Sequence, residues 1–361
     1  MRKRPRARIA EQDAPALRAE RMPLLVRFEE RAARGTRKTA LDDHAPAWRG
    51  AMRAVGDRMR ESRVAAIVFV HGTFTGDDPL SAAKAVERAL PQARSLARTL
   101  RRRTRATLER VLGDLGNFGT TYVRLFEAAI GGDVPCTAFT WSSENHHVGR
   151  LQGALDLAHV LATHADLAAP GSRVLVMGHS HAGQLFALAT QLLARSVASE
   201  AILDVARARG LDVATLEHDL ETLARCGIDF VTFGAPSRYA WARADGVRVL
   251  HVVHHREGSV AASDLVRRLG AAGSDLPALD GADRRANARL DDALGPGFAP
   301  GELVRSLRDG SALPASGEVA LVDYGAERLG GILSSGLGHG VYTRLDAMLF
   351  HAELVTDRFY S

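Results

Sequence analysis

The sequence predicts an α/β fold built on a mainly parallel sheet with helices on both faces. Apolar, β-branched runs of strand length recur at 64–70, 135–141, 173–177, 228–233, 247–253 and 319–322. Between most of them lie longer stretches whose apolar residues repeat at the spacing of one helix face, as at Leu185, Leu188, Ala189 and Leu192. Strands that alternate with helices in this way are joined by crossovers and run parallel. No internal repeat is evident, and Cys136 and Cys226 are too few for a disulfide scaffold or a structural zinc cluster.

The 361 residues are enough for one large domain or two ordinary ones, and 46% hydrophobic with 25% charged residues is ordinary for a globular protein. No apolar run approaches the roughly 18 to 20 residues needed to cross a bilayer. The basic start, Met1 to Arg8, is not followed by the apolar segment of a secretory signal, so a cytoplasmic location is expected, with signal-independent export left open. The net charge of +5 is uneven: residues 1–62 hold 16 Lys or Arg against 9 Asp or Glu, and the rest carries a slight negative excess. A solvated arm is the simplest reading of that basic leader. Peripheral contact with an anionic membrane is the partner its charge allows, and nucleic acid is the less favoured one.

Residues 1–62 show no strand pattern. They read as a partly disordered arm with helical turns at 24–34 and 48–59 that can pack on the body, which is expected to span 63–361. The first strong strand, 64–70, runs straight into His71-Gly72-Thr73-Phe74. A helical stretch follows at 81–132, and its Arg101, Arg102 and Arg103 fit a solvated helix face better than a phosphate site, since no glycine-rich phosphate loop accompanies them. Closely spaced glycines at 113–122 interrupt it and fall at the edge of a site. After the strand at 135–141, His146 and His147 lack the usual spacing of metal ligands and suit a polar rim or a cap. A helix at 149–163 leads to the central strand. Beyond the helix that follows it, 198–225 is helical and amphipathic, either a cap over a pocket or a packing helix. The stretch 269–317 is loop-like, and 341–354 returns to helical spacing.

The stretch the chain is organised around is Gly178-His179-Ser180-His181-Ala182. A strand that turns abruptly into a helix strains the residue at the turn and demands small residues two places either side, which Gly178 and Ala182 are. Ser180 is thereby the candidate nucleophile; the plainer alternative is a serine that caps the helix. A serine hydroxyl needs a base to take its proton and a carboxylate to hold that base in one tautomer. Among the histidines beyond Ser180, His218, His251 and His351 fall within regular elements. His339 lies in a glycine-flanked loop before the last helix and is the candidate base. Glu257, directly after the strand at 247–253, is the first candidate for the acid, with Asp264 the alternative. The glycine after His71 lets the following loop aim a backbone N–H, that of Thr73 first, at the oxygen of a tetrahedral intermediate. The N–H of His181 is the second donor.

In Val70-His71-Gly72, the Gly178 to Ala182 elbow, Thr232-Phe233-Gly234-Ala235-Pro236 and Gly338-His339-Gly340-Val341-Tyr342, residues 64–355 resemble the α/β-hydrolase superfamily, specifically its bacterial lipase and esterase-like members. The turn after Thr232 and the late His339 with Tyr342 three places on look like the corresponding parts of class 3 lipases. Two departures stand out: Ala182 where glycine is commoner, and Glu257 where aspartate is more usual. The resemblance implies an α/β-hydrolase fold with helical insertions at about 81–132 and 198–225. It also implies a serine esterase or lipase acting on a small-molecule or lipid ester by an acyl-enzyme route, without metal or organic cofactor. A phospholipase working at membranes, and a non-catalytic binding protein on the same fold, are the alternatives.

Overall fold

A computed structural model describes residues 24–28, 41–72, 118–143, 147–235, 239–254, 317–324 and 342–361. Seven strands form one sheet: β1 (Leu24–Arg27), β2 (Val64–Val70), β3 (Cys136–Phe139), β4 (Arg173–His179), β5 (Gly227–Phe233), β6 (Val247–His254) and β7 (Glu318–Asp323). Their order is β1-β7-β6-β5-β4-β2-β3, and every pairing is parallel. The central strands are apolar along nearly their whole length, as strands covered on both faces must be.

Alternation along these strands feeds two cores. Val68, Val70, Val174 and Val176 face one side, where α3 (His147–Asp166), α4 (Ala182–Leu193), α5 (Val197–Ala208) and α6 (Leu216–Leu223) pack. Ile67, Phe69, Leu175 and Met177 face the other, beneath α1 (Pro46–Glu61), α2 (Thr120–Ile130) and α7 (Met348–Phe359). Each fully buried side chain of this kind contributes about 1.5–3 kcal/mol relative to exposure, so both faces are committed to helices. Among the described residues no single helix is long and apolar enough to cross a membrane.

The segment before residue 64 differs from the sequence expectation. Leu24 to Arg27 is a strand rather than a helical turn, and pairs in parallel with Ala320 to Asp323 at the sheet edge. Four residues are too few to show a period, and the pairing partner lies almost 300 positions away in sequence. Helix α1 does pack on the body. Pro46 occupies its first turn, where a missing N–H costs nothing. Trp48, Met52, Val55 and Met59 make one buried stripe, and Gly56 lets α2 approach so closely that a methyl group there would sit 1.9 Å from the Ile130 carbonyl oxygen. Thus part of the stretch read as an arm builds onto the same sheet and core; residues 1–23 lie outside the described residues.

Of the two expected insertions, only the end of the first is described, as α2. The second is two helices, and they pack rather than cap. Ile202, Val205, Leu216, Leu220 and Leu223 are buried in the core over α3 and α4. His147, expected at a rim or cap, is wholly buried, with Nδ1 2.6 Å from the Tyr239 hydroxyl, which also accepts a bond from the buried Arg150.

Candidate active site

The chain leaves β2 toward β3 at one edge, whereas β4, β5, β6 and β7 follow one another toward the opposite edge. The reversal falls between β2 and β4, and in an open parallel sheet the crevice beyond the carboxyl ends at such a point is where ligands bind. Two segments meet there, His71-Gly72 after β2 and Ser180 after β4.

Ser180 has φ +55. That left-handed backbone costs a non-glycine residue about 1–2 kcal/mol, and it accompanies a connection in which only Ser180 and His181 stand between β4 and α4. The Ser180 amide still bonds to the Phe233 carbonyl at the end of β5 (2.9 Å), while Gly183 already bonds back to the Ser180 carbonyl (3.1 Å). Strand and helix therefore overlap at this one residue. The residue at the N-cap of α4 is His181 rather than Ser180, and its side chain makes no capping bond.

Close packing explains the small residues. A methyl group on Gly178 would sit 2.4 Å from the Phe186 ring and 2.9 Å from the Ala182 Cβ. Ala182 itself is fully buried without displacing the turn. The glycine one place later has its own reason, since a methyl group on Gly183 would come within 2.4 Å of the Ala235 Cβ. The Thr232 to Ala235 turn thus abuts the start of α4. At Gly72 an added Cβ would stand 2.8 Å from the Ser180 Cβ and 3.1 Å from the His179 carbonyl oxygen. Gly72 consequently lies directly against the turn at Ser180.

The sequence reading missed what holds that segment. Trp141, just past β3, donates its backbone N–H to His71 Nε2 (3.2 Å) and its indole N–H to the His71 carbonyl (2.9 Å). An N–H can only donate, so Nε2 carries the lone pair, and Nδ1, 2.7 Å from the Gly72 carbonyl oxygen, carries the proton and donates it there. Ser143 donates to the same oxygen (3.0 Å). Ser143 also has φ +60, and a second strained serine at the same edge of the sheet marks the place as over-determined. Its hydroxyl is 3.3 Å from His71 Nδ1, but the tautomer forbids a second nucleophile-base pair: the nitrogen facing Ser143 already bears hydrogen. A tryptophan and a pair of serines at the end of a strand were the available signals.

Of the predicted site residues, Ser180 and His181 are described; Thr73, Glu257, Asp264 and His339 lie outside the described residues. His181 opens α4 with helical backbone, φ −62, and is half-buried. The carboxyl ends of β6 and β7, after which Glu257 and His339 follow in sequence, are on the same edge as Ser180 because every strand runs the same way. Among the described residues no group of three or more His, Cys, Asp and Glu side chains is arranged to hold a metal ion.

Two histidines set aside on sequence grounds are core residues. His251 pairs through Nδ1 with the Thr232 hydroxyl (2.9 Å), and burial pulls its pKa down to about 4. His351 pairs with the Tyr324 hydroxyl (2.7 Å), and burial pulls it to about 3. Both stay neutral in the fold, whereas the unfolded chain protonates them near pH 6.5. Their contribution is therefore intact above pH 6.5 and is lost as acidity increases toward pH 4 and pH 3, about 3 kcal/mol for His251 and about 5 kcal/mol for His351. Urea unfolding of the wild type should lose stability between pH 6.5 and 4, and the variant His251→Asn/His351→Asn should lose clearly less over the same interval. Equal slopes would show that these imidazoles titrate alike in both states.

The chain matches no family model, no curated protein and no solved structure. What it does chemically is therefore read from its own residues.

Proposed function

We propose that this chain is a serine hydrolase of the α/β-hydrolase type that cleaves carboxylic esters. The observation that carries the reading is the left-handed backbone of Ser180 in a two-residue strand-to-helix turn, at the switch point of a parallel sheet and against Gly72. In this reading the Ser180 oxygen bonds to the ester carbonyl carbon while His339 takes its proton. The N–H groups of Thr73 and His181 hold the oxyanion, and Glu257, with Asp264 as the alternative, orients His339. Collapse breaks the bond to the alkoxide, which leaves with the proton from His339. Water then cleaves the acyl-enzyme by the same path in reverse, and small-molecule or lipid esters are the substrate class.

A fluorophosphonate probe tests this directly. Labelling of the wild type at Ser180, found by peptide mass spectrometry and lost in Ser180→Ala, is the expected result. A folded wild type that takes no label, or a Ser180→Ala variant labelled as strongly as the wild type, would overturn the assignment.

A further inference from the structure

We propose that Trp141 and Ser143 are positioning residues for the nucleophile: from the exit of β3 they clamp His71 and Gly72, and the clamped Gly72 holds Ser180 in its left-handed backbone. The inference rests on the hydrolase reading and deepens it. A strained residue keeps its conformation only where its surroundings leave it no room to relax. Main-chain bonds tie Ser180 at both ends, its amide to the Phe233 carbonyl and its carbonyl to the Gly183 amide. The remaining wall is Gly72. It lies so near that an added Cβ would stand 2.8 Å from the Ser180 Cβ, 3.1 Å from the His179 carbonyl oxygen and 3.3 Å from His179 Nδ1.

Gly72 has no side chain with which to anchor itself beyond the end of β2. Its anchors come from β3, the neighbouring strand. Trp141 grips His71 twice, by its backbone N–H to Nε2 (3.2 Å) and its indole N–H to the carbonyl (2.9 Å), with the two rings only 13° from parallel. Ser143 donates its hydroxyl to the Gly72 carbonyl (3.0 Å). Gly72 cannot draw back from Ser180 without stretching these bonds. Burial keeps water from competing for them, since Trp141 is 3% exposed and Ser143 1%. The consequence reaches the hydroxyl because the backbone sets the direction of the Cα–Cβ bond. A Ser180 that relaxed to negative φ would carry its oxygen elsewhere, and a misplacement of about 1 Å costs up to about 100-fold in rate.

The experiment compares the full-length wild type, Ser143→Ala and Trp141→Phe, each alone and combined with Ser180→Gly. Three quantities are read: the rate of fluorophosphonate labelling of Ser180, kcat and KM for p-nitrophenyl butyrate, and the melting temperature. Labelling rate and kcat should fall about tenfold in Ser143→Ala and up to about 100-fold in Trp141→Phe, with KM within about twofold of wild type. Bonds that only prop the fold would lower the melting temperature equally with or without Ser180→Gly. The clamp instead couples the two positions. The rise of about 2 °C expected for Ser180→Gly in the wild type should shrink to less than half in each variant, because Ser180 has already relaxed there. Where Trp141→Phe does not fold, Ser143→Ala, which removes one oxygen, decides. An unchanged labelling rate in either folded variant, or the full rise for Ser180→Gly in its background, would overturn the inference, while labelling of wild-type Ser180 leaves the hydrolase reading standing. A wild type without label at Ser180 overturns both.

Discussion

Ser180→Gly is expected to abolish ester turnover and, at the same time, to raise the melting temperature. Removing a triad nucleophile costs on the order of 10⁶ in kcat. Stability moves the other way because Ser180 sits at φ +55, a conformation that costs an L-residue about 1–2 kcal/mol and glycine nothing. The greater freedom of glycine in the unfolded chain takes back about 0.4–1 kcal/mol. The net is a gain of about 0.5–1 kcal/mol, or about 2 °C. Ser180→Ala keeps a Cβ in the strained turn and should match wild-type stability while losing the same activity. Had Ser180 been a helix cap, alanine there would destabilise by about 1 kcal/mol. Differential scanning calorimetry on the three proteins separates the cases by sign, and a lower melting temperature for Ser180→Gly would show that the turn stores no strain.

Asp229→Ala should be the most destabilising single substitution at the opposite end of the sheet. Asp229 is fully buried near the start of β5. It receives paired bonds from Arg173 (2.8 and 2.6 Å) and from Arg248 (2.7 and 2.7 Å), and one from the Tyr360 hydroxyl (2.9 Å). Arg248 also reaches the Phe359 carbonyl (2.8 Å), so the group fastens the end of α7 to the amino-terminal edge of the sheet. Gly227 makes the room: a methyl group there would lie 2.2 Å from the Arg173 guanidinium. Burial acts to raise the Asp229 pKa, but the bonds and charges of Arg248 and Arg173 outweigh it and hold the carboxyl below its ordinary value.

Removing one partner from such a cluster leaves buried charge uncompensated and costs about 3–5 kcal/mol. Urea unfolding at pH 7 should show that loss for Asp229→Ala, with Asp229→Asn intermediate. Because the folded pKa is depressed, this stabilisation is complete above the unfolded carboxyl value of about 3.9 and disappears as pH falls through the folded one. The gap between wild type and Asp229→Asn should therefore narrow below pH 4. Turnover per folded molecule should be unchanged, since the cluster lies at the strand ends remote from Ser180. A difference of less than about 1 kcal/mol at pH 7 would show that desolvation cancels the pairing.

Much of this molecule was legible in one dimension, and the exceptions share a cause. The six strands expected between 64 and 322 are present with ends within a few residues of expectation, because apolar β-branched runs report burial on both faces whatever their neighbours. The elbow was legible for the same local reason: a strand, a small residue, a serine and a helix in succession constrain the backbone between them. Strand β1 was missed because its four residues acquire a β conformation only by pairing with β7. The helices at 197–223 were left open between cap and packing, since an amphipathic stripe does not say what it faces.

The sequence by itself determined the alternation of strands and helices, the serine at the sharpest turn and the glycine that comes to lie beside it, all set by steric and hydrophobic preferences that act within a few residues. Only the tertiary structure decided the strand order, and with it the reversal between β2 and β4 that brings positions 72 and 180 into contact. It also decided the His71 tautomer, the two donors on the Gly72 carbonyl and the paired arginines on Asp229. Apart from the bond between the neighbours His71 and Gly72, those depend on partners 19 to 131 positions apart, and a hydrogen bond at that separation exists only after hydrophobic packing has chosen which strands are neighbours.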